Sequence, residues 1–156
     1  MNPSNPSIFD ASPLLHLARL EALDWFEDDH WVIAPESVLD ELTGDPYREG
    51  APEILHAMEL GWIRLRTPDE PLHPEDMGLG LGESDCLRLF REHRGREIVT
   101  DDARFGRHLS RNLIPFRNTP LWLADRLASG RMDRRRGVDG LRRLRETGIW
   151  PPEVWA

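Results

Sequence analysis

The sequence predicts an α/β protein in which a mainly parallel sheet of four or five strands is covered by helices, as a three-layer α/β/α sandwich. Short apolar runs of strand length alternate along the 156 residues with longer segments of helical period. Strands that alternate with helices build parallel sheets with helices on both faces. The length predicts one domain, residues 1–156, in which about 119–156 form a C-terminal helical extension.

The first half of the chain is predicted to contain three strands and three helices. In order, they are a strand at 7–9, a helix from Ser12 to about Leu23, a strand at 31–34, a helix at 36–42, a helix at 52–60 and a strand at 62–66. Ser12 and Pro13 are typical of an N-cap and a first helical position. Gly44 and Pro46 are expected to end the second helix, and Gly61 the third.

The second half begins with a loop at 67–82 that is rich in Pro, Gly and acidic residues. The predicted elements that follow are a helix from Glu83 to about His93, a strand at 97–100, a helix containing Phe105 and Leu109, a strand at 113–116 and two helices at about 119–129 and 133–147. Because Pro115 cannot donate a ladder hydrogen bond, the strand at 113–116 is expected only at an edge of the sheet.

Composition excludes several classes of protein. All 20 basic residues are Arg, so a Walker A phosphate loop, Schiff-base chemistry and the kinase lysine are excluded. The single cysteine, Cys86, excludes a disulfide framework and predicts a reducing, cytoplasmic location. No apolar run approaches the ~20 residues of a membrane span, and the first seven residues do not resemble a secretory signal.

Charge is distributed unevenly along the chain. Residues 1–85 contain 19 acidic residues and four Arg, whereas residues 86–156 contain nine acidic residues and 16 Arg. An Arg-rich half suggests a surface for a polyanion. The alternative is that these arginines only solvate the outer faces of the C-terminal helices.

Acidic residues are predicted at the carboxyl ends of two strands. Asp10 follows the first strand, and Asp101 and Asp102 follow the fourth. If these strands are neighbours in the sheet, the three carboxylates meet at one edge, where helices carrying further acids can join them. Converging carboxylates repel each other and bind a hard divalent cation such as Mg²⁺ or Mn²⁺. Each acid, taken alone, also has a structural explanation as a helix cap or a solvated side chain.

Four blocks of the chain resemble, in order and spacing, the motif blocks of PIN-domain proteins. They are Ile8–Leu15, Pro35–Leu42, Gly82–Leu89 and Ile98–Arg107. The stretch 118–150 is similar to the C-terminal extension of a PIN subfamily close to VapC-type toxins. The resemblance covers nearly the whole chain and implies a metal-dependent ribonuclease that hydrolyses RNA phosphodiester bonds.

The resemblance also implies site residues. The catalytic carboxylates correspond to Asp10, Glu41, Glu83 and Asp102, which hold one or two Mg²⁺ or Mn²⁺ ions. Glu83 stands where the family usually has Asp, so Asp85 is an alternative third ligand; Asp101 similarly competes with Asp102 for the fourth. Ser12 matches a hydroxyl residue that supports the first carboxylate. Apart from the resemblance, Arg104 and Arg107 follow the acidic pair on the same helix. They are expected either to hold the phosphate backbone of the substrate or only to form a solvated helix face.

Partners and an alternative function follow from the same resemblance. VapC-type proteins are usually neutralised by a small antitoxin, so the chain is expected to be the toxin of such a pair, or to form a homodimer. The alternative is a catalytically weak or inactive PIN-like fold that binds RNA or a protein. Receiver and haloacid-dehalogenase phosphatase sites fit poorly, because the first needs a Lys and the second needs Asp where this chain has Ser12.

Overall fold

The structure is a computed structural model that describes residues 5–27, 31–45 and 47–156. Within these residues, five strands form one fully parallel sheet. The strands are β1 (Ser7–Phe9), β2 (Val32–Pro35), β3 (Arg64–Arg66), β4 (Glu97–Val99) and β5 (Phe116–Arg117). The helices are α1 (Ala11–Arg19), α2 (Glu36–Thr43), α3 (Ala51–Glu59), α4 (Leu81–Glu92), α5 (Ala103–Arg111), α6 (Thr119–Ala128) and α7 (Arg134–Glu146). Short 3₁₀ turns lie at Leu23–Phe26, Pro74–Asp76 and Pro152–Trp155.

The sheet places β1 at its centre, in the order β3-β2-β1-β4-β5. Ile8 pairs with Ile33 of β2 on one side and with Ile98 of β4 on the other. The three-layer α/β/α architecture is therefore as predicted, and so is the pairing of the first and fourth strands. Because the strands are parallel, the segments that follow β1 and β4 emerge side by side at one edge of the sheet.

The central strand is covered completely, as expected for a parallel sheet with helices on both faces. Ile8 and Phe9 are 0% exposed, and the Phe9 ring packs edge-on against Phe26 and Trp122. Leu144 of α7 belongs to the same core, so the C-terminal helices pack on the body of the protein. Among the described residues, no helix is long and apolar enough to cross a bilayer.

The first helix differs from its prediction at both ends. It begins at Ala11, because Asp10 and not Ser12 is the N-cap. It ends at Arg19 and not near Leu23, and the chain then turns through Glu21, whose φ is 54°. Helix α4 likewise begins two residues earlier than predicted, at Leu81, with Gly80 as its N-cap.

The largest differences in strand boundaries are at β3 and β5. In both cases, residues predicted to be in the strand instead form hydrogen bonds at the end of the preceding helix. β3 begins at Arg64 and not at Trp62, because the Trp62 N–H donates to the Ala57 carbonyl and closes α3. β5 is shifted to Phe116–Arg117, because the Ile114 N–H donates back to Leu109 at the end of α5. Pro46, which was expected to help end α2, lies outside the described residues.

Candidate active site

A cleft of about 400 Å³ lies where the chain leaves β1 and β4. Four carboxylate side chains among the described residues line it, and each comes from a different part of the chain: Asp10, Glu41, Glu83 and Asp102. The remaining lining residues are Ala11, Ser12, Ser37, Gly80, Leu81 and Gly82. The cleft is therefore an acidic pocket at the carboxyl edge of the sheet, where open α/β sheets bind their ligands.

Asp10 is the most enclosed of these four acids. It directly follows β1, is 8% exposed, and accepts hydrogen bonds from the Ala11 N–H (2.9 Å, on Oδ1) and from the Thr100 hydroxyl (3.0 Å, on Oδ2). The pKa of Asp10 is raised to about 6, mainly by burial; the charges of Glu41 and Glu83 contribute to this rise, and the two hydrogen bonds oppose it. A nearby cation would therefore stabilise the ionised form of Asp10.

Thr100 connects two of the cleft acids. Its hydroxyl donates to Asp10 and accepts from the Asp102 N–H at 3.2 Å. Asp102 is the N-cap of α5, and its Oδ1 accepts from the Phe105 N–H at 2.9 Å. Thr100 was not predicted as a site residue, although a hydroxyl residue immediately before an acidic pair at a strand end is a signal in the sequence.

Glu41 and Glu83 reach the cleft from α2 and α4. Glu83 lies in the first turn of α4, where its Oε2 accepts from the Gly80 N–H at 3.3 Å. Burial raises the pKa of Glu83, and the charge of Asp102 adds to the rise. Side chains from two helices thus add negative charge to that of Asp10 and Asp102, as the sequence predicted from their positions.

The other two predicted metal ligands do not line the cleft. Asp85 is 7% exposed, and its carboxylate accepts from the Ser37 hydroxyl (2.7 Å) and from Arg88 (3.0 Å), so it supports the cleft wall from behind. The Asp101 carboxylate accepts from the backbone N–H (2.7 Å) and hydroxyl (2.6 Å) of Thr119, and also contacts His16 Nδ1 and Trp150 Nε1. Asp101 therefore anchors the C-terminal helices to β4.

Of the three predicted substrate-binding residues, only Ser12 lines this cleft. The hydroxyl that bonds Asp10, however, is that of Thr100. Arg104 and Arg107 are exposed on α5. The positive charge of Arg104 offsets part of the rise in the pKa of Glu83, so this guanidinium acts electrostatically on the acidic cleft.

A family model described as a PIN domain matches residues 6–154. The chain belongs to the PIN-domain family. The family match confirms the resemblance read from the four motif blocks, and PIN domains are generally nucleases that use divalent metal ions. A search of curated proteins finds no match.

The donor atoms of this PIN domain's cleft, and the room beside them, suit a hard divalent cation. The four acids offer only oxygen donors, which Mg²⁺ and Mn²⁺ prefer. Gly82 leaves open a space beside Glu41 Oε2 and Asp10 Oδ1 that a Cβ atom would fill. Within residues 5–27, 31–45 and 47–156, however, no group of three or more His, Cys, Asp or Glu side chains is arranged to hold an ion as it stands.

Proposed function

We propose that this PIN domain is a metal-dependent endoribonuclease that hydrolyses phosphodiester bonds in RNA. The observation that carries the proposal is the convergence of four carboxylates on one cleft, with the pKa of Asp10 raised to about 6 by burial. Such an arrangement costs free energy in the folded protein, because like charges repel and a buried carboxylate loses its hydration. A divalent cation relieves both costs.

Asp10, Glu41, Glu83 and Asp102 would hold one or two Mg²⁺ or Mn²⁺ ions. The bound cation would neutralise charge on the phosphoryl oxygens and make water a better nucleophile. Thr100 holds the Asp10 carboxylate in place and joins it to Asp102. Arg104 and Arg107 would bind phosphates of the RNA backbone, and Ser12 would contact the substrate at the cleft wall.

The test is cleavage of a mixed set of labelled single-stranded and structured RNAs in Mn²⁺ or Mg²⁺. Wild type is expected to cut, and EDTA, Asp10→Asn and Asp102→Asn are each expected to abolish cutting. Thr43→Ala is a control outside the cleft lining, because the Thr43 hydroxyl donates to the Leu39 carbonyl within α2. Cutting that persists in EDTA and in both variants would refute the metal-dependent mechanism.

We propose further that the protein is the cytoplasmic toxin of a toxin–antitoxin pair and that residues 1–156 form a single domain. The first proposal rests on the similarity of 118–150 to the extension of a subfamily close to VapC-type toxins. The second is supported by Leu123 and Leu144 of the extension, which belong to the core that covers β1. Co-expression with the neighbouring open reading frame should restore growth and co-purify a small partner; a harmless protein that purifies as a monomer contradicts the toxin assignment.

A second candidate is a PIN fold that binds RNA or protein without cutting. It is favoured by the lack, among the described side chains, of a ready-made ligand group for an ion, and by Glu83 at a position where the family usually has Asp. Calorimetric titration with Mn²⁺ separates the two functions. Binding of metal supports the nuclease, whereas well-folded protein that neither binds Mn²⁺ nor cuts RNA supports the binding module.

A further inference from the structure

Gly82 lies in the first turn of α4 and faces the acidic cleft. A Cβ atom at this position would lie 3.5 Å from Glu41 Oε2 and 4.0 Å from Asp10 Oδ1. The missing side chain therefore leaves a space that two carboxylates border, one from α2 and one from the end of β1.

The fold itself does not need a glycine here. Gly82 lies within a helix and is not among the residues with positive φ, so an L residue can adopt its backbone conformation. A methyl group would meet its neighbours at ordinary van der Waals distances and would pack at 3.5 Å against the buried Val38 side chain. Alanine is also the better helix former. On stability alone, alanine is the preferred residue at position 82.

Three other glycines of the chain, Gly50, Gly106 and Gly137, have a structural reason that Gly82 lacks. A Cβ atom at Gly106 of α5 would lie 2.9 Å from the Phe116 ring, and one at Gly137 of α7 would lie 2.7 Å from Met132 Sδ. Gly50, before α3, has a φ of 93°, which strains any L side chain. The atoms nearest to Gly82 leave room for a methyl group, so its absence calls for another explanation.

We propose that Gly82 keeps open the space in which the divalent cation and its water ligands lie between Asp10 and Glu41. The inference rests on the proposed metal-dependent function. Mg²⁺ and Mn²⁺ sites of this kind retain several waters, so an ion needs more room than its own radius. A methyl group at position 82 would take the place of such a water and would put an apolar surface against two ligand carboxylates.

The test compares wild type, Gly82→Ala and Gly44→Ala in two measurements. Gly44 is exposed at the end of α2, has helical φ and ψ and lies outside the cleft lining, so its alanine variant controls for the added methyl group. Thermal unfolding in EDTA measures the fold alone. Calorimetric titration with Mn²⁺ measures the site, without dependence on any RNA.

Gly82→Ala is expected to unfold in EDTA at the wild-type temperature or about 2 °C above it. Its affinity for Mn²⁺ is expected to be weaker by about 10- to 100-fold, the range typical of changes beside metal ligands. Gly44→Ala is expected to bind Mn²⁺ as wild type does.

The outcomes separate this inference from the proposed function. Wild type that takes up no Mn²⁺ overturns the metal-dependent function, and the role of Gly82 with it. Wild type that binds Mn²⁺, together with a Gly82→Ala variant of equal affinity, overturns the role of Gly82 alone. A Gly82→Ala variant that is less stable than wild type in EDTA also overturns that role, because the glycine would then be needed for packing.

Discussion

Replacement of Asp10 by Asn should stabilise the metal-free protein at neutral and alkaline pH. Burial raises the pKa of Asp10 from an ordinary 3.8 to about 6, so the folded protein binds the Asp10 proton more tightly than the unfolded chain does. Stability should therefore fall as the pH rises from about 4 to about 6, and the whole cost should be present above that range. A tenfold difference in proton affinity is worth about 1.4 kcal/mol, which makes the cost about 3 kcal/mol.

Asparagine removes the charge and keeps the local geometry. Its carbonyl oxygen can accept from the Ala11 N–H, and its amide can donate to the Thr100 hydroxyl in place of the present bond. The substitution loses part of this stabilisation, because the hydrogen bond to a charged acceptor at a helix N-terminus is stronger than that to a neutral one. We expect Asp10→Asn to be more stable than wild type by about 1–3 kcal/mol at pH 8 and by nearly nothing at pH 4.

The assay is urea unfolding of both proteins in EDTA at the two pH values, followed by the same series with Mn²⁺. Because a ligand that binds only the folded state stabilises it, saturating Mn²⁺ should raise the stability of wild type and not that of Asp10→Asn. The difference in the free energy of unfolding between the two proteins should then disappear or change sign. An Asp10→Asn variant that is less stable than wild type at both pH values in EDTA would refute the electrostatic reasoning.

Three further predictions concern residues outside the cleft lining. Asp76→Asn should lower the free energy of unfolding by about 3 kcal/mol in urea titrations. Asp76 is 1% exposed, and the substitution removes the carboxylate that pairs with the Arg91 guanidinium. An unchanged urea midpoint would contradict this prediction. Trp150→Phe should cost about 1 kcal/mol by calorimetry through the lost hydrogen bond to Asp101, and wild-type stability would argue against that anchor. Arg104→Ala should weaken RNA binding in anisotropy titrations and lower the salt slope by about 1; unchanged binding removes Arg104 from the substrate site.

The fold could be predicted because its signals are local and repeated. β1, β2 and β4 are short, buried and mainly apolar segments between helical ones. Such an alternation permits few arrangements other than a covered parallel sheet. The boundaries of β3 and β5 were predicted wrongly because they depend on how the preceding helix ends. The hydrogen bonds from Trp62 to Ala57 and from Ile114 to Leu109 have no signature in the hydrophobic pattern.

The candidate site was predictable in position but not in detail. Asp10 and Asp102 could be expected to lie close together, because they follow strands that are neighbours in the sheet. Whether Asp101 or Asp102 faces the cleft depends on hydrogen-bonding residues that are distant in the sequence. Asp101 turns to Thr119 and Trp150, which lie 18 and 49 residues further along. The choice between adjacent acids therefore needs tertiary structure.

The most direct test of the central claim is an amide scan of six acids, measured as single-turnover cleavage of one labelled RNA in Mn²⁺. The four cleft variants are Asp10→Asn, Glu41→Gln, Glu83→Gln and Asp102→Asn. Each of them is expected to cut at least about 100-fold more slowly than wild type. Asp85→Asn and Asp101→Asn, checked for folding at the assay temperature, should stay within several-fold of wild type. Full activity in any two cleft variants, or loss of activity confined to Asp85→Asn and Asp101→Asn, would contradict the assignment of this cleft as the metal-dependent active site.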